Sequence, residues 1–203
     1  MYGLAHKIES ALEKDALELG GKWTEEERRA VKERVAQVPR ALVQDNPGVK
    51  RIERQEVLKP KPPGAPGDST YLPPDKGQPG RIVLYDKGVY DGGRNIKEDH
   101  LSRSVFHELA HSLEKTVPML FENWKAISGW NQKDGKWKAT RPEAGFVDDY
   151  AKTSPYEDWA ETFQEYFVQP GLVRKRYPEK YRFVEHVIDA ARRGELKFKE
   201  KTK

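Results

Sequence analysis

Apolar residues recur at helical spacing through much of the chain, interrupted by one long segment that holds no period. Over residues 3–19, Leu4, Ile8, Ala11, Leu12 and Leu19 share one side of a helix, and Gly20-Gly21 ends it. A second helix is predicted from Thr24, where the hydroxyl can cap the first turn and Glu27 can answer from three residues on. Ala30, Val31, Val35 and Val38 form its stripe, and Pro39 and Asn46-Pro47-Gly48 punctuate its exit. Residues 49–59 alternate imperfectly at Val49, Ile52 and Val57 and read as a strand. Residues 59–80, KPKPPGAPGDSTYLPPDKGQPG, carry too much proline and glycine for regular structure and read as a linker or a long surface loop. RIVLYD follows as the clearest strand in the chain.

The second half is mainly helical. A helix is predicted over 97–116, with Pro118 marking its end or a restart. Residues 128–145 read as a loop or hairpin, pinned by a cluster of Trp124, Trp130 and Trp137. Helices follow over 155–168 and 178–193, and the tail KFKEKTK is expected to fray. No internal repeat is visible. The pattern is that of a single α+β domain over 1–203: N-terminal helices in 1–40, a sheet and a central helix in 49–116, and a helical subdomain in 117–203.

Composition narrows the chemistry. There is no cysteine, so disulfides, thiolate metal sites and cysteine nucleophiles are excluded, and any metal must be held by His, Asp or Glu. Lys and Arg number 37 against 33 acidic residues, a net charge of +4 that is too small an excess to argue for a nucleic-acid partner. No run approaches the roughly 18 apolar residues of a membrane span. Glu9, Glu13, Lys14 and Asp15 interrupt the N-terminal apolar face, which therefore reads as an amphipathic helix and not a signal peptide. The expectation is a monomeric cytoplasmic protein, with a secreted or effector role open.

The candidate chemistry sits in SVFHELAHSL, residues 104–113. His107 and His111 are four apart, hence on one helix face, and two imidazoles there can reach one zinc ion. Glu108 projects beside the ion's open position, where it can take a proton from bound water. Val105, Phe106, Leu109, Ala110 and Leu113 bury the rest of the helix, so the polar trio needs partners.

A catalytic site of this kind needs a third protein ligand. The residues after His111 are Ser112, Leu113, Glu114, Lys115, Thr116 and Val117, which rules out the elongated three-histidine pattern. His186 is one candidate; the better ones lie in SPYEDWAETFQEYF, where Glu157, Glu161 and Glu165 recur every four residues and would repel one another without a cation. Ser154 and Pro155 also suit a helix start, so Glu157 has a competing role in a capping box. One arrangement uses both carboxylates: Glu157 binds the metal, and Glu161 accepts a hydrogen bond from a ligand histidine.

His107-Glu-Leu-Ala-His111, then Tyr150 and Glu157-Asp-Trp-Ala-Glu161, resembles the gluzincin metallopeptidases. The likeness extends to the catalytic domain of anthrax lethal factor and to the secreted Pro-Pro endopeptidases, and covers about residues 105–170. It implies a zincin-like fold, one Zn2+ per chain held by His107, His111 and Glu157, Glu108 as general base, Tyr150 as electrophilic assistant and Glu161 behind the ligands. It also implies a metalloendopeptidase acting on a peptide or protein held between an N-terminal portion and a C-terminal helical portion. RIVLY is then the candidate sheet edge for an extended substrate. The alternative is a non-catalytic module, with structural zinc or none, that engages a protein or nucleic acid through exposed tryptophans and the proline-rich segment.

Overall fold

The computed structural model describes residues 17–56, 69–90, 98–141 and 145–199. Strands β1 (Glu18–Gly21), β2 (Arg51–Arg54), β3 (Ser69–Leu72) and β4 (Arg81–Leu84) form one sheet in the order β1-β2-β4-β3. The first three in that order run parallel, and β3 lies antiparallel on β4 at the edge. Between β1 and β2 come helix α1 (Glu25–Val35) and the short α2 (Arg40–Val43). Thr24 and Glu27 form the expected capping box on α1, and Val31, Val35 and Val38 are buried. Glu27 does more than cap: its other oxygen accepts from Arg54 Nε at 3.0 Å and from the Tyr90 hydroxyl at 2.6 Å. That joins α1 to β2 and to the end of α3 (Asp86–Val89).

The long helix α4 (Glu98–Thr116) packs on the sheet. It is followed by α5 (Leu120–Ser128) and the hairpin β5 (Trp130–Lys133) and β6 (Lys136–Ala139), whose Asp134-Gly135 turn takes positive φ at both residues. Helices α6 (Pro155–Val168), α7 (Pro170–Arg176) and α8 (Pro178–Arg192) complete the chain. One apolar core runs from Val31 through Ile52, Leu84, Phe106 and Trp159 to Ile188. An aromatic row, Phe106–Phe167–Phe163–Trp159–Trp124, crosses its helical side with centroids 4.6–5.3 Å apart. The architecture is α+β, and no helix among the described residues is long and apolar enough to cross a membrane.

Four expectations change. The helix placed over 3–19 lies mostly outside the described residues, and its end is β1: Leu19 pairs with Ile52, a sheet contact that local spacing does not contain. Residues 69–72 of the proline-rich stretch form β3, because Pro73 and Pro74 only flank it and an edge strand tolerates such neighbours. Consequently RIVLY is interior, between β2 and β3, and among the described residues β3 is the edge strand on that side. The tail does not fray before Lys199: Leu196 and Phe198 pack on the core, and Lys199 N donates to Thr116 O at 2.7 Å, satisfying a carbonyl at the end of α4. The tryptophans pack as the pinned-loop reading expects and form no exposed platform: Trp124 and Trp130 are buried and Trp137 packs edge-on against Phe121 and Tyr156. Helix α7 was not foreseen, and the role given to the rest of the proline-rich segment lies outside the described residues.

Candidate metal centre

Two helices build the site. Helix α4 supplies His107, Glu108 and His111; helix α6 crosses it and supplies Glu157 and Glu161. Trp159, fully buried on α6, donates its indole N–H to Ala110 O on α4 at 2.9 Å and so sets the contact between them. The start of α6 is fixed by Ser154, whose hydroxyl accepts from Glu157 N at 3.2 Å, and by Pro155 at the first position. Only half of a capping box forms, because the Glu157 carboxylate turns toward α4 instead of back to its own cap.

The turned carboxylate completes a triangle. His107 Nε2 and His111 Nε2 stand 3.0 Å apart, and Glu157 Oε2 lies 3.3 Å from the first and 3.4 Å from the second. Atoms bound at roughly 2.0–2.1 Å to one tetrahedral ion stand about 3.3 Å from each other. Glu157 Oε2 is buried and makes no hydrogen bond. The three donors therefore fit one face of a zinc coordination sphere, and nitrogen with carboxylate oxygen is a donor set zinc accepts. Without the metal, protons fill the same role. Burial would lower both imidazoles, but Glu157 and Glu161 push His107 up to about 10, and Glu114 and Glu157 push His111 up to about 9. Burial would raise Glu157, but the two imidazoles hold it down at about 2.

Around this triangle the structure gathers most of the expected residues. His107 Nδ1 lies 2.9 Å from Glu161 Oε1, which leaves Nε2 to face the triangle, and Gln164 donates to Glu161 Oε2 at 2.6 Å. Glu108 is buried on the cleft side and accepts from the Ser69 hydroxyl of β3 at 2.7 Å. Tyr150 is exposed, and its ring stacks on His107 at 6.1 Å. Burial and the carboxylates of Glu157, Glu161 and Glu108 push its phenol up to about 12, so it stays a donor at neutral pH. These groups line a cleft of about 600 Å³ that also reaches His100, Arg103 and Asp148. Burial raises the Asp148 carboxyl, and its oxygen accepts from Ala151 N at 2.8 Å.

Other candidates lie elsewhere. His186 is exposed on α8, outside the triangle, and Glu165 contacts Arg103 instead. Sequence reasoning missed Ser69, Gln164 and Glu114. Glu114, three residues after His111, and Gln164, three after Glu161, carried a readable spacing signal on their helices; Ser69 reaches Glu108 across 39 positions with none.

No curated protein matches the chain. A crystal structure of a metallo-peptidase of the description given below, from Bacteroides caccae, matches with TM-score 0.46 and 16% identity over 95% of this chain and 85% of that one. The model of a protein family described as "Putative zinc-binding metallo-peptidase" matches residues 69–203, more than half of the chain and all of the residues that frame the site. The chain belongs to that family.

Proposed function

We propose that the chain is a zinc-dependent metalloendopeptidase of the gluzincin type, with a zincin-like catalytic domain and one Zn2+ per chain. The observation that carries this reading is the triangle of His107 Nε2, His111 Nε2 and Glu157 Oε2, with a buried carboxylate beside it and a cleft in front. His107, His111 and Glu157 hold the ion, which when bound acts as a Lewis acid on the scissile carbonyl and lowers the pKa of a coordinated water toward about 7.

The chain's own residues do the rest. Glu108 takes the proton from the attacking water and passes it to the leaving nitrogen as the C–N bond breaks. The Ser69 hydroxyl on its Oε1 keeps the carboxylate facing the cleft. Tyr150, held protonated, donates to the carbonyl oxygen as negative charge collects there. An extended peptide adds along β3, an edge strand of the sheet among the described residues, whose first residue is Ser69, so docking and proton transfer meet at one strand.

Metal content measured together with cleavage of a randomised peptide library tests this reading. The native chain should carry one zinc and cut a subset of peptides. Glu108→Gln should keep the zinc and lose about 10²–10⁴-fold in kcat. Undiminished cleavage by zinc-loaded Glu108→Gln would remove the base assignment, and strongly salt-dependent nucleic-acid binding without cleavage would favour the binding-module alternative.

A further inference from the structure

Each ligand histidine has a second nitrogen, and the two are treated differently. His107 Nδ1 has Glu161 at 2.9 Å. The nearest acidic group to His111 Nδ1 is Glu114, one turn further along α4, with Oε2 at 3.6 Å. That is too long for a hydrogen bond and close for a charge pair. Glu114 is 8% exposed, and the same Oε2 is buried with no hydrogen-bond partner, while Oε1 meets Lys115 Nζ at 3.1 Å. Across from it on β3, the Tyr71 hydroxyl is likewise buried and unpaired. Burial and the Glu114 charge push that phenol up to about 12. A buried carboxylate oxygen left without a partner has lost its hydration with nothing in return. One aimed at a ring N–H would regain a partner when the ring is fixed.

The geometry assigns Glu114 as the positioning residue of His111: its Oε2, 3.6 Å away and otherwise unpartnered, closes to accept the Nδ1–H of that imidazole when the metal fixes the ring, holding Nε2 toward the metal as Glu161 does for His107. This rests on the zinc reading above but not on peptide cleavage. The pairing uses an i, i+3 step on one helix, so the ligand and its orienting carboxylate move together, whereas Glu161 orients His107 from the opposing helix.

Zinc affinity by competition with a chromophoric chelator, and the His111 ring by long-range 1H–15N NMR of the zinc-loaded chain, test the assignment. Glu114→Gln should weaken zinc about 10–100-fold and expose the His111 Nδ1 proton to rapid exchange. Lys115→Ala, which removes the other partner of Glu114, should leave both unchanged. If Glu114→Gln folds poorly, Glu114→Asp, with the carboxylate drawn back by one methylene, should still lose affinity. Zinc affinity within about threefold of native in the glutamate variants, or an equal loss in Lys115→Ala, overturns the proposal. A native chain that holds no zinc overturns it along with the ligand set. A chain that binds zinc and cuts no peptide sinks the peptidase reading and leaves this one standing.

Discussion

Glu157 and Asp158 are neighbours on α6, and they end in opposite situations. Asp158 turns into the helical core, where Lys180 Nζ meets it at 2.6 Å and the Trp130 indole donates at 3.0 Å. Lys180 is equally complete: it also donates to Gly145 O at 2.7 Å and lies over the Phe146 and Trp124 rings. Burial works against both charges, raising Asp158 and lowering Lys180, and their mutual attraction opposes it. Glu157 turns to the cleft, where its Oε2 lies 3.3 Å and 3.4 Å from the two imidazoles and makes no hydrogen bond. A buried carboxylate with its own lysine is a finished structural element. One set between two histidines has the donor arrangement that could hold a cation.

The comparison breaks most visibly under truncation. Asp158→Ala strands Lys180 in the core and should cost about 3–5 kcal/mol of unfolding free energy by denaturant titration, while Asp158→Ala with Lys180→Met should recover much of that. Glu157→Ala should act chiefly on the metal: beyond the stability its charge lends the metal-free protein, the zinc affinity loss should exceed the roughly 10–100-fold expected for Glu161→Ala. Equal zinc losses at 157 and 161 would move the ligand one turn along α6.

A second difference is in pH. The imidazoles of His107 and His111 are raised in the folded, metal-free chain, to about 10 and about 9. Their contribution to stability is therefore complete below the unfolded value near 6.5 and is lost as pH climbs through about 9 to 10. Glu157, depressed to about 2, contributes above its unfolded value of 4.5 and loses that only as pH falls through about 2. Zinc must displace the imidazole protons, so its affinity should climb about 10- to 100-fold per pH unit around neutrality and flatten above about 10. Calorimetry in buffers of different ionisation enthalpy should count roughly one to two protons released per zinc. Binding that does not respond to pH between 6 and 8 would place the metal elsewhere.

The site was more legible than the sheet. His107 and His111, and Glu157 and Glu161, stand at i, i+4 spacings on long helices, with Glu108 directly after the first histidine, and a helix converts spacing directly into a shared face. What was unreadable crosses between elements. β1 exists because Leu19 meets Ile52, and β3 because Tyr71 meets Ile82, and neither pairing leaves a mark in the local pattern. Moving the free edge from RIVLY to β3 is a matter of strand order, which pairing decides and composition does not. Ser69 belongs to the same class, since it matters only once β3 is known to run past α4.

The smallest expected effect separates the helix start from the site it presents. Ser154 accepts from Glu157 N at 3.2 Å, yet the Glu157 side chain takes no part in the cap. Ser154→Ala should therefore cost about 1 kcal/mol, a fall in Tm of roughly 2–4 °C for a chain of this length. The backbone of α6 is still held by Trp159 on Ala110 O and by the aromatic row, so the carboxylate should keep its place against the histidines. Zinc affinity should then fall by less than about threefold, well under the loss for the carboxylate behind His107. Ser154→Asp, a good cap with a charge suited to a helix N-terminus, should restore the stability. If Ser154→Ala weakens zinc as much as Glu161→Ala does, the first turn of α6 is itself part of what orients Glu157. The contrast with Asp158, anchored independently by Lys180, would then be sharper still.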